Sequence, residues 1–459
     1  MIKKVLIANR GECALSILRS AKELGIETLV IYSKADAYQS YIYIADEAVC
    51  IGDKFSKDTY LNMDAIITCA IEKGCDAIHP GYGFLSESYE FAKKVCDAGL
   101  IFIGPSPNLI KLMGDKIGAK NLMEDIKVPV AKAHSLDGES KEEILEICDK
   151  IGYQIILKAR SGGGGKGMRR VDSPENLFHY IDLSKAEAKA SFGDERIFIE
   201  KFIENPRHIE VQVLSDGNKF LHLYERECSL QRNNQKILEE APCNFISDEL
   251  KEKLYKASLD CVRATGYLGA GTVEFLVDKD ENFYFCEMNT RLQVEHAVTE
   301  MITGLDIIKE QFRIASGLGL SINQDDVKVS GHAIEVRINA LDPMKDFTPS
   351  SGKINFLFTP GGMDTRFESA IYKGLEIPIY YDSMIGKIIV KDQRRLSAIK
   401  KLRRAIEETM IDGIETNLGF MYSILFDLDF IRGNISTNFI REKETDLLKR
   451  MKEVRDNVT

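Results

Sequence analysis

The chain has 459 residues, of which 44% are hydrophobic and 29% charged, so its composition is that of an ordinary globular protein and excludes a disordered or collagen-like chain. No run of about 18 apolar residues occurs, which argues against a membrane-spanning helix, and a net charge of −10 argues against general nucleic-acid binding. The 10 cysteines include no CxxC pair and no zinc-like spacing, and they favour reduced thiols.

Alternating strand and helix patterns predict an open α/β unit in residues 1–115. Residues 3–8 form an apolar strand rather than a signal peptide, so we expect a cytoplasmic protein. Residues 11–24 carry apolar side chains at helical spacing and end at Gly25, and residues 27–32 form the next strand, which predicts a βαβ unit in a parallel sheet. The pattern continues with a helix at 65–73 and strands at 77–79 and 101–103.

Two further units and a tail are expected. Residues 116–204 predict a small lid in which two strands flank a glycine-rich loop at 161–167, and residues 205–445 predict a mixed domain rich in strands. Residues 446–459 form a charged tail. Other predicted elements are strands at 154–158, 168–171, 197–201, 208–214, 271–277 and 282–287, and helices that begin at 173–175 and cover 247–265. The predicted fold class therefore combines α/β and α+β.

The glycine-rich loop has the sequence Ser161-Gly162-Gly163-Gly164-Gly165-Lys166-Gly167-Met168. Successive glycines allow backbone N–H groups to turn towards a phosphate, and Lys166 adds a positive charge. The loop leads into a strand rather than a helix, which argues against dinucleotide binding, and Gly167 stands where a Walker A loop has Ser or Thr. A flexible linker is the alternative, and Lys158 just upstream favours the phosphate site.

Two acidic residues lie between apolar neighbours in predicted strands. Glu274 lies in Val273-Glu274-Phe275 and Glu287 in Cys286-Glu287-Met288. A buried carboxylate needs a partner or a metal ion, and neighbouring strands could direct both acids and Asn289 to one point. Such oxygen ligands suit Mg²⁺ or Mn²⁺ shared with phosphates. A solvent-facing position for both acids is the alternative.

Arg291, Gln293 and Glu295 alternate along the chain, so an extended segment would place all three on one face. A cation, an amide and a carboxylate together can orient a small oxyanion and remove a proton from it. A salt-bridge ladder on the surface would show the same pattern.

Several longer segments occur in order along the chain. They are Ala8-Asn9-Arg10-Gly11-Glu12, His79-Pro80-Gly81-Tyr82-Gly83-Phe84-Leu85-Ser86-Glu87, Met113-Gly114-Asp115-Lys116, Glu204-Asn205-Pro206-Arg207-His208-Ile209-Glu210, Glu287-Met288-Asn289-Thr290-Arg291-Leu292-Gln293-Val294-Glu295-His296 and Tyr381-Asp382-Ser383-Met384-Ile385-Gly386-Lys387. In this order they resemble the biotin carboxylase family, and the resemblance covers residues 1–445. It implies an ATP-grasp fold, with an N-terminal α/β domain, a mobile lid, and a C-terminal mixed domain.

The resemblance also implies the ligands and the residues that bind them. The implied ligands are ATP, Mg²⁺ or Mn²⁺, bicarbonate, and biotin as a substrate on a separate carrier. The implied ATP contacts are Lys116, Lys158, Gly163, Gly164, Gly165, Lys166, Gly167, Met168, Glu200, Lys201, Ile203, His208, Gln231 and Leu276. The implied metal ligands are Glu274, Glu287 and Asn289. Bicarbonate and biotin would be held by Lys236, Arg291, Gln293, Val294, Glu295, Arg337, Tyr82 and Glu87.

The implied catalytic residues are Glu295, Arg337, Lys236 and Arg291. Glu295 would be the general base that deprotonates bicarbonate, which attacks the γ-phosphate of ATP to give carboxyphosphate. Arg337 would stabilise the enolate-like ureido oxygen of biotin while its nitrogen attacks the released CO₂.

The implied partners are a biotin carboxyl carrier protein and carboxyltransferase subunits, expected as separate chains because no Ala-Met-Lys-Met attachment sequence occurs. Acetyl-CoA is the expected final acceptor, with pyruvate or another acyl-CoA as the alternative. Two other functions stay open, which are another ATP-grasp carboxylate–amine ligase and a silent ATP-binding regulatory protein.

The family also implies a homodimer. Ser16 and Met363 stand where many bacterial members have arginine and phenylalanine at the dimer contact, while Arg19 and Arg366 remain. Further departures from the family pattern are Gln154, Arg160, Asn234 and Leu341.

Overall fold

The computed structural model describes residues 1–160 and 168–458, without the side chains of Phe192 and residues 454–458. The predicted phosphate loop at 161–167 therefore lies outside the described residues. The described chain contains a five-stranded, a four-stranded and an eight-stranded sheet, together with short two-stranded ribbons. No helix in these ranges is long and apolar enough to cross a membrane.

The N-terminal part is an open parallel sheet with helices around it. Its elements are β1 (Lys4–Ile7), α1 (Gly11–Glu23), β2 (Glu27–Ser33), α2 (Ser40–Ile44), β3 (Glu47–Gly52), α3 (Met63–Glu72), β4 (Ala77–His79), α4 (Tyr89–Asp97), β5 (Ile101–Phe102) and α5 (Pro107–Gly114). The strands run parallel in the order β3-β2-β1-β4-β5, which confirms the parallel sheet predicted from the sequence. Helix α1 buries Ala14, Ile17 and Leu18, and Gly25 adopts the left-handed φ of +71° that lets the chain reverse into β2.

The lid is built on a small antiparallel sheet. Its elements are α6 (Lys116–Asp125), β6 (Ala133–Ser135), α7 (Lys141–Ile151), β7 (Ile155–Ala159), β8 (Arg169–Val171), α8 (Leu177–Phe192) and β9 (Ile197–Lys201). The strand order is β6-β9-β7-β8, and Ile155, Leu157 and Ile199 form part of its core. The helix predicted to begin at 173–175 is preceded by a 3₁₀ turn at Pro174–Asn176, where proline fits the first turn.

The remainder of the chain is organised by the antiparallel sheet β14-β13-β10-β11-β12-β15-β22-β20. Its strands and ribbons are β10 (Arg207–Asp216), β11 (Phe220–Arg232), β12 (Gln235–Ala241), β13 (Leu268–Val277), β14 (Phe283–Asn289), β15 (His332–Asn339), β16 (Leu341–Asp342), β17 (Thr348–Pro349), β18 (Gly352–Lys353), β19 (Phe356–Phe358), β20 (Thr365–Ser369), β21 (Glu376–Ile377), β22 (Met384–Asp392) and β23 (Met410–Asp412). The helices are α9 (Asp248–Thr265), α10 (His296–Thr303), α11 (Ile307–Ala315), α12 (Arg395–Glu408), α13 (Leu418–Ile424), α14 (Leu428–Arg432) and α15 (Phe439–Val458). Helix α15 includes the predicted tail and buries Leu447 in the core of this part.

One local prediction is wrong. The segment after β14 was predicted to be extended, but the chain turns there and enters α10 directly, with Glu295 at its N-cap. The turn is closed by His296, whose backbone N–H donates to the carbonyl of Gln293 at 3.3 Å. The alternation of Arg291, Gln293 and Glu295 therefore does not come from a strand.

Candidate active site

A pocket of about 640 Å³ lies between the four-stranded and the eight-stranded sheets. Strands β7 and β9 contribute to one side, and β12, β13 and β15 to the other. The predicted site residues that line it are Lys116, Lys158, Met168, Glu200, Lys201, Ile203, His208, Gln231, Lys236, Glu274, Leu276, Glu287, Asn289, Arg291, Gln293, Val294, Glu295 and Arg337. The structure brings these distant residues together, while their individual roles stay predictions.

Glu295 is buried at the N-cap of α10, with 2% of its surface exposed. Its Oε1 accepts a hydrogen bond from Nζ of Lys236 at 2.8 Å, and its Oε2 accepts one from Nη2 of Arg337 at 3.0 Å. Burial by itself would raise the pKa of Glu295, but Lys236, Arg337 and Arg226 outweigh it and lower the pKa below its usual value. Glu295 is therefore an ionised carboxylate, the form required of a general base.

Lys236 on β12 lies at the centre of three carboxylates. Its ammonium donates to Glu210 at 2.5 Å, to Glu274 at 2.7 Å and to Glu295 at 2.8 Å. Burial opposes the charge, but these acids raise the pKa of Lys236 well above its usual value. All three donors of the ammonium are thus satisfied, and the lysine is held charged inside the pocket.

Arg226 on β11 is fully buried and was missed by the sequence analysis. Its Nε donates to Glu210 at 2.5 Å, and its Nη2 donates to the side-chain oxygen of Gln293 at 2.7 Å. The amide nitrogen of Gln293 then donates to Glu274 at 2.8 Å, so the orientation of this amide is fixed from both ends. The only local signal for Arg226 was a charged triplet, Glu225-Arg226-Glu227, inside a strand otherwise rich in apolar residues.

Arg291 is held by an amide on one side and a carboxylate on the other. Its Nη2 donates to Oδ1 of Asn289 at 2.9 Å, and its Nε donates to Glu87 at 2.9 Å. Glu87 is not itself among the described residues that line the pocket, although it contacts one that is. Tyr82 also lies outside that lining and packs against the N-terminal core, so the structure does not bring it into the pocket.

Glu274 and Glu287 face each other on β13 and β14, and Asn289 follows two residues later on the same face of β14. The amide of Asn289 donates to Glu274 at 2.8 Å, and Nζ of Lys116 lies 3.4 Å from Glu287. Two carboxylates and an amide oxygen on one pocket wall are hard donors that fit Mg²⁺ or Mn²⁺. The predicted alternative, in which both acids face solvent, is wrong for Glu274, which is 4% exposed.

Other potential ligands lie closer together than this predicted set. Among the described residues, the side-chain groups of His208, Glu210 and Glu274 form one cluster close enough for a shared ion, and Glu210, Cys228 and Glu295 form another. Glu287 belongs to neither cluster. Because Lys236 already occupies the space between Glu210, Glu274 and Glu295, these clusters are neutralised from within the protein.

The lysines near the lid are paired with a buried acid. Nζ of Lys158 donates to Glu200 at 2.7 Å, and Nζ of Lys120, which the sequence analysis did not single out, lies 2.9 Å from the same carboxylate. Burial would raise the pKa of Glu200, but the two lysines lower it to about 2. The side chain of Glu200 thus holds lysines, and its predicted contact with adenine stays a prediction.

The predicted adenine pocket is partly apolar. Leu276 and Ile203 line it, and Leu276 pairs with His208 across strands β13 and β10. The ammonium of Lys201 turns away to donate to the carbonyls of Gly152 and Tyr153 at 2.9 and 3.2 Å. Gln231 donates to the carbonyl of Cys228 at 3.0 Å.

A lid sheet and a large antiparallel sheet that enclose a pocket lined with lysines and glutamates define an ATP-grasp protein. Three family models match the chain in succession, and these are the biotin carboxylase N-terminal domain at residues 1–110, the ATP-binding domain of the carbamoyl-phosphate synthase L chain at 115–323 and the biotin carboxylase C-terminal domain at 335–442. The chain belongs to the biotin carboxylase family.

Similar proteins extend over nearly the whole chain. Biotin carboxylase from Haemophilus influenzae is 49% identical over 448 residues, which cover 96% of this chain and 99% of the relative. The Nostoc sp. biotin carboxylase is 48% identical over 440 residues, covering 96% and 98%. One pyruvate carboxylase polypeptide, from Methanothermobacter thermautotrophicus, is 43% identical over 455 residues, covering 99% and 92%.

Two solved structures also match closely. A Campylobacter jejuni biotin carboxylase in complex with β,γ-ATP has a TM-score of 0.94 and 44% identity, covering 96% of this chain and 99% of that one. The biotin carboxylase domain dimer of Hydrogenobacter thermophilus 2-oxoglutarate carboxylase, in complex with MgADP, ADP and bicarbonate, has the same score and identity, covering 97% and 99%.

Proposed function

We propose that this protein uses ATP and bicarbonate to carboxylate biotin on a biotin carboxyl carrier protein, through carboxyphosphate. The observation that carries the proposal is the position of Glu295, a buried and ionised carboxylate held between Lys236 and Arg337 in one pocket. This arrangement provides a base for one anionic substrate and two cations to hold it. The similar structures with bound nucleotide and bicarbonate support the same assignment.

The phosphate end of the pocket binds ATP. Lys116 and Lys158 offer cationic contacts to the phosphates, and the glycine-rich loop at 161–167 supplies backbone N–H donors. Glu274, Glu287 and Asn289 hold Mg²⁺ or Mn²⁺. When bound, this metal ion neutralises charge that develops on the phosphates.

Bicarbonate binds at the opposite end, between Lys236, Arg291 and the amide of Gln293. The backbone N–H of Val294 completes this set. Glu295 takes the proton of bicarbonate, which makes the anion a nucleophile for the γ-phosphate of ATP. Because Lys236 and Arg337 can each move a hydrogen bond from Glu295 to substrate, the base becomes a stronger proton acceptor as the substrate arrives.

Arg337 acts in the second step, the transfer of the carboxyl group to biotin. Its planar guanidinium donates to the ureido oxygen of biotin, on which negative charge develops as the nitrogen loses its proton. Tyr82 and Glu87 are proposed to lie near the bound biotin, with Glu87 acting through its hydrogen bond to Arg291.

We also propose the boundaries 1–115, 116–204 and 205–445 for the three domains, with a tail at 446–459. A homodimer and association with separate carrier and carboxyltransferase chains follow from the family. The neighbouring structure from Hydrogenobacter thermophilus is a dimer, although Met363 at the expected contact is 85% exposed in the single chain. A cytoplasmic location stays a prediction.

The test is an assay of ATP cleavage by the purified protein with and without bicarbonate, and with and without free biotin. We expect cleavage to require bicarbonate and to increase with biotin, together with transfer of labelled bicarbonate to biotin. Cleavage that required an amine acceptor would indicate a carboxylate–amine ligase, and ATP binding without cleavage would indicate a regulatory protein. Either result would contradict the proposal.

The final acceptor is proposed to be acetyl-CoA. The similarity to biotin carboxylases and to a pyruvate carboxylase polypeptide leaves pyruvate as the alternative. Identification of the biotinylated carrier and the transferase that co-purify with the chain decides between them.

A further inference from the structure

A buried row of charged side chains crosses the large sheet behind the pocket. Glu239 on β12 is registered opposite Glu335 on β15, and Arg337 on β15 is registered opposite Lys387 on β22. Lys387 is in turn opposite Glu368 on β20. Registered side chains on antiparallel strands share one face, as do residues two apart on a strand. The row therefore runs from the pocket-lining Arg337 into the protein interior.

Glu239 and Glu335 are both fully buried, and their oxygens are incompletely satisfied. Oε1 of Glu239 accepts from Nε of Arg337 at 2.7 Å, whereas its Oε2 has no hydrogen-bond partner within residues 1–160 and 168–458. Over the same ranges neither carboxyl oxygen of Glu335 has a hydrogen-bond partner, and Nζ of Lys387 lies 3.7 Å away. Two adjacent ionised carboxylates in this position would be very costly, because each lacks solvent and repels the other.

We propose that Glu239 and Glu335 hold one proton between them and thereby position the guanidinium of Arg337 against Glu295. The proton lies on the Glu335 carboxyl and is donated to the free Oε2 of Glu239, and Oε1 of Glu239 then accepts from Arg337. The pair carries a single negative charge. Glu335 is a positioning residue, since it acts on the substrates through Arg337, and the inference rests on the function proposed above.

The charges that face the pair come from every strand and helix packed against it. Lys387 and Arg337 favour ionisation of Glu335, whereas Glu239 and Glu295 oppose it, and burial opposes it most. For Glu239 the favourable cations are Arg337 and Lys236. Two further acids, Glu12 on α1 and Glu368 on β20, face Lys387 from the opposite side.

These surroundings fix the sign of the pH dependence. Burial first, and the neighbouring carboxylate second among the unfavourable effects, raise the pKa of Glu335 well above its usual value. Burial likewise raises the pKa of Glu239 to about 7. A proton is therefore retained at neutral pH and lost as the pH rises. Loss of that proton adds a second negative charge beside Arg337, which draws the guanidinium away from Glu295 and from substrate.

The expected consequence is an alkaline decline in the rate of biotin carboxylation, limiting at about tenfold per pH unit. In Glu335→Gln the amide still donates to Glu239 but cannot ionise, so the decline should disappear or move to higher pH. Glu239→Gln should have the same effect, because only one carboxyl then remains. Activity at neutral pH should survive in Glu335→Gln, whereas Glu335→Leu, which cannot donate, should lose it.

Glu300→Gln is the matched control. Glu300 is also buried, and burial raises its pKa to about 7, but its carboxylate pairs with Arg366 at 2.9 Å rather than with Arg337. This variant should keep the wild-type alkaline decline. A decline that is unchanged in both Glu335→Gln and Glu239→Gln overturns the proposal.

Infrared difference spectroscopy supplies a readout independent of activity. The wild-type protein, without substrates at neutral pH, should show a protonated carboxyl absorption that is absent in Glu335→Gln and present in Glu300→Gln. If the band is missing in the wild type, both acids are ionised and the proposal fails. If the band is present but the protein has no bicarbonate-dependent ATP cleavage, the shared proton stands and the proposed function is what fails.

Discussion

Replacement of Glu295 by glutamine removes the proposed base and keeps its shape. In the structure the carboxylate holds one hydrogen bond from Lys236 and one from Arg337. The glutamine oxygen can accept one of these bonds, while its NH₂ group faces the other cation. The perturbation is therefore the loss of one negative charge and one acceptor, without a cavity.

The size of the effect follows from what remains. Breaking a buried ion pair commonly costs about 3–5 kcal/mol, but here Lys236 keeps Glu210 and Glu274, and Arg337 keeps Glu239. We therefore expect the free energy of unfolding to fall by only about 1–3 kcal/mol, the cost of one unsatisfied buried group. Loss of a general base should lower turnover by about 10²–10⁴-fold.

The assay measures bicarbonate-dependent ATP cleavage and biotin carboxylation per folded molecule, with thermal unfolding as the check on folding and calorimetry as the check on ATP binding. ATP binding should be retained, because the lysines near the lid do not contact Glu295. Glu300→Gln, the same substitution on the same helix but outside the pocket, should keep its turnover. A decrease in Glu295→Gln of less than about tenfold, below the usual contribution of a base, would refute the assignment.

The other predictions concern both ends of the pocket. Arg337→Ala should lower biotin carboxylation by about 100-fold or more while bicarbonate-dependent ATP cleavage survives better, and a parallel loss of both activities would place Arg337 in the bicarbonate step. Glu287→Gln should raise the Mg²⁺ concentration needed for half-maximal activity, and an unchanged requirement would move the metal site elsewhere. Arg160, just before the glycine-rich loop, donates to Asp115 at 2.9 Å and to Asp137 at 2.7 Å. Arg160→Ser should cost about 0–1 kcal/mol of stability and raise the KM for ATP, and an equal KM would show that the anchor is not used.

The sequence was sufficient for elements whose pattern is set locally. Residues 11–24 place apolar side chains at helical spacing, and the helix lies where that pattern predicts it. Strand β15 shows the limit of the same reasoning. In His332–Asn339 apolar residues alternate with Glu335 and Arg337, a pattern typical of a strand with one face in solvent. The structure buries that face too, because acids and cations from neighbouring strands neutralise each other there.

The candidate site could be predicted only where motifs exist. Glu274, Glu287 and Asn289 were placed together from their strand context, and the structure puts them on one wall of the pocket. Arg226 and Glu239 were missed because their importance depends on contacts between distant strands, which no local spacing records. The clustering of Arg291 and Glu295 was inferred from an alternation that does not produce a strand, so that placement was right for a different physical reason.

In the described part of the chain, the cations predicted to hold substrate are already paired with acids. Lys236 donates to three carboxylates, Arg337 to two, Lys158 to Glu200, and Arg291 to Glu87. Such pairing keeps each cation charged in a buried site, where an isolated charge would be too costly to maintain. The substrates are anions, so their binding exchanges one negative partner for another instead of introducing a new charge. The cost of desolvating the cations is therefore met during folding, and the donors are already oriented when charge develops in the reaction.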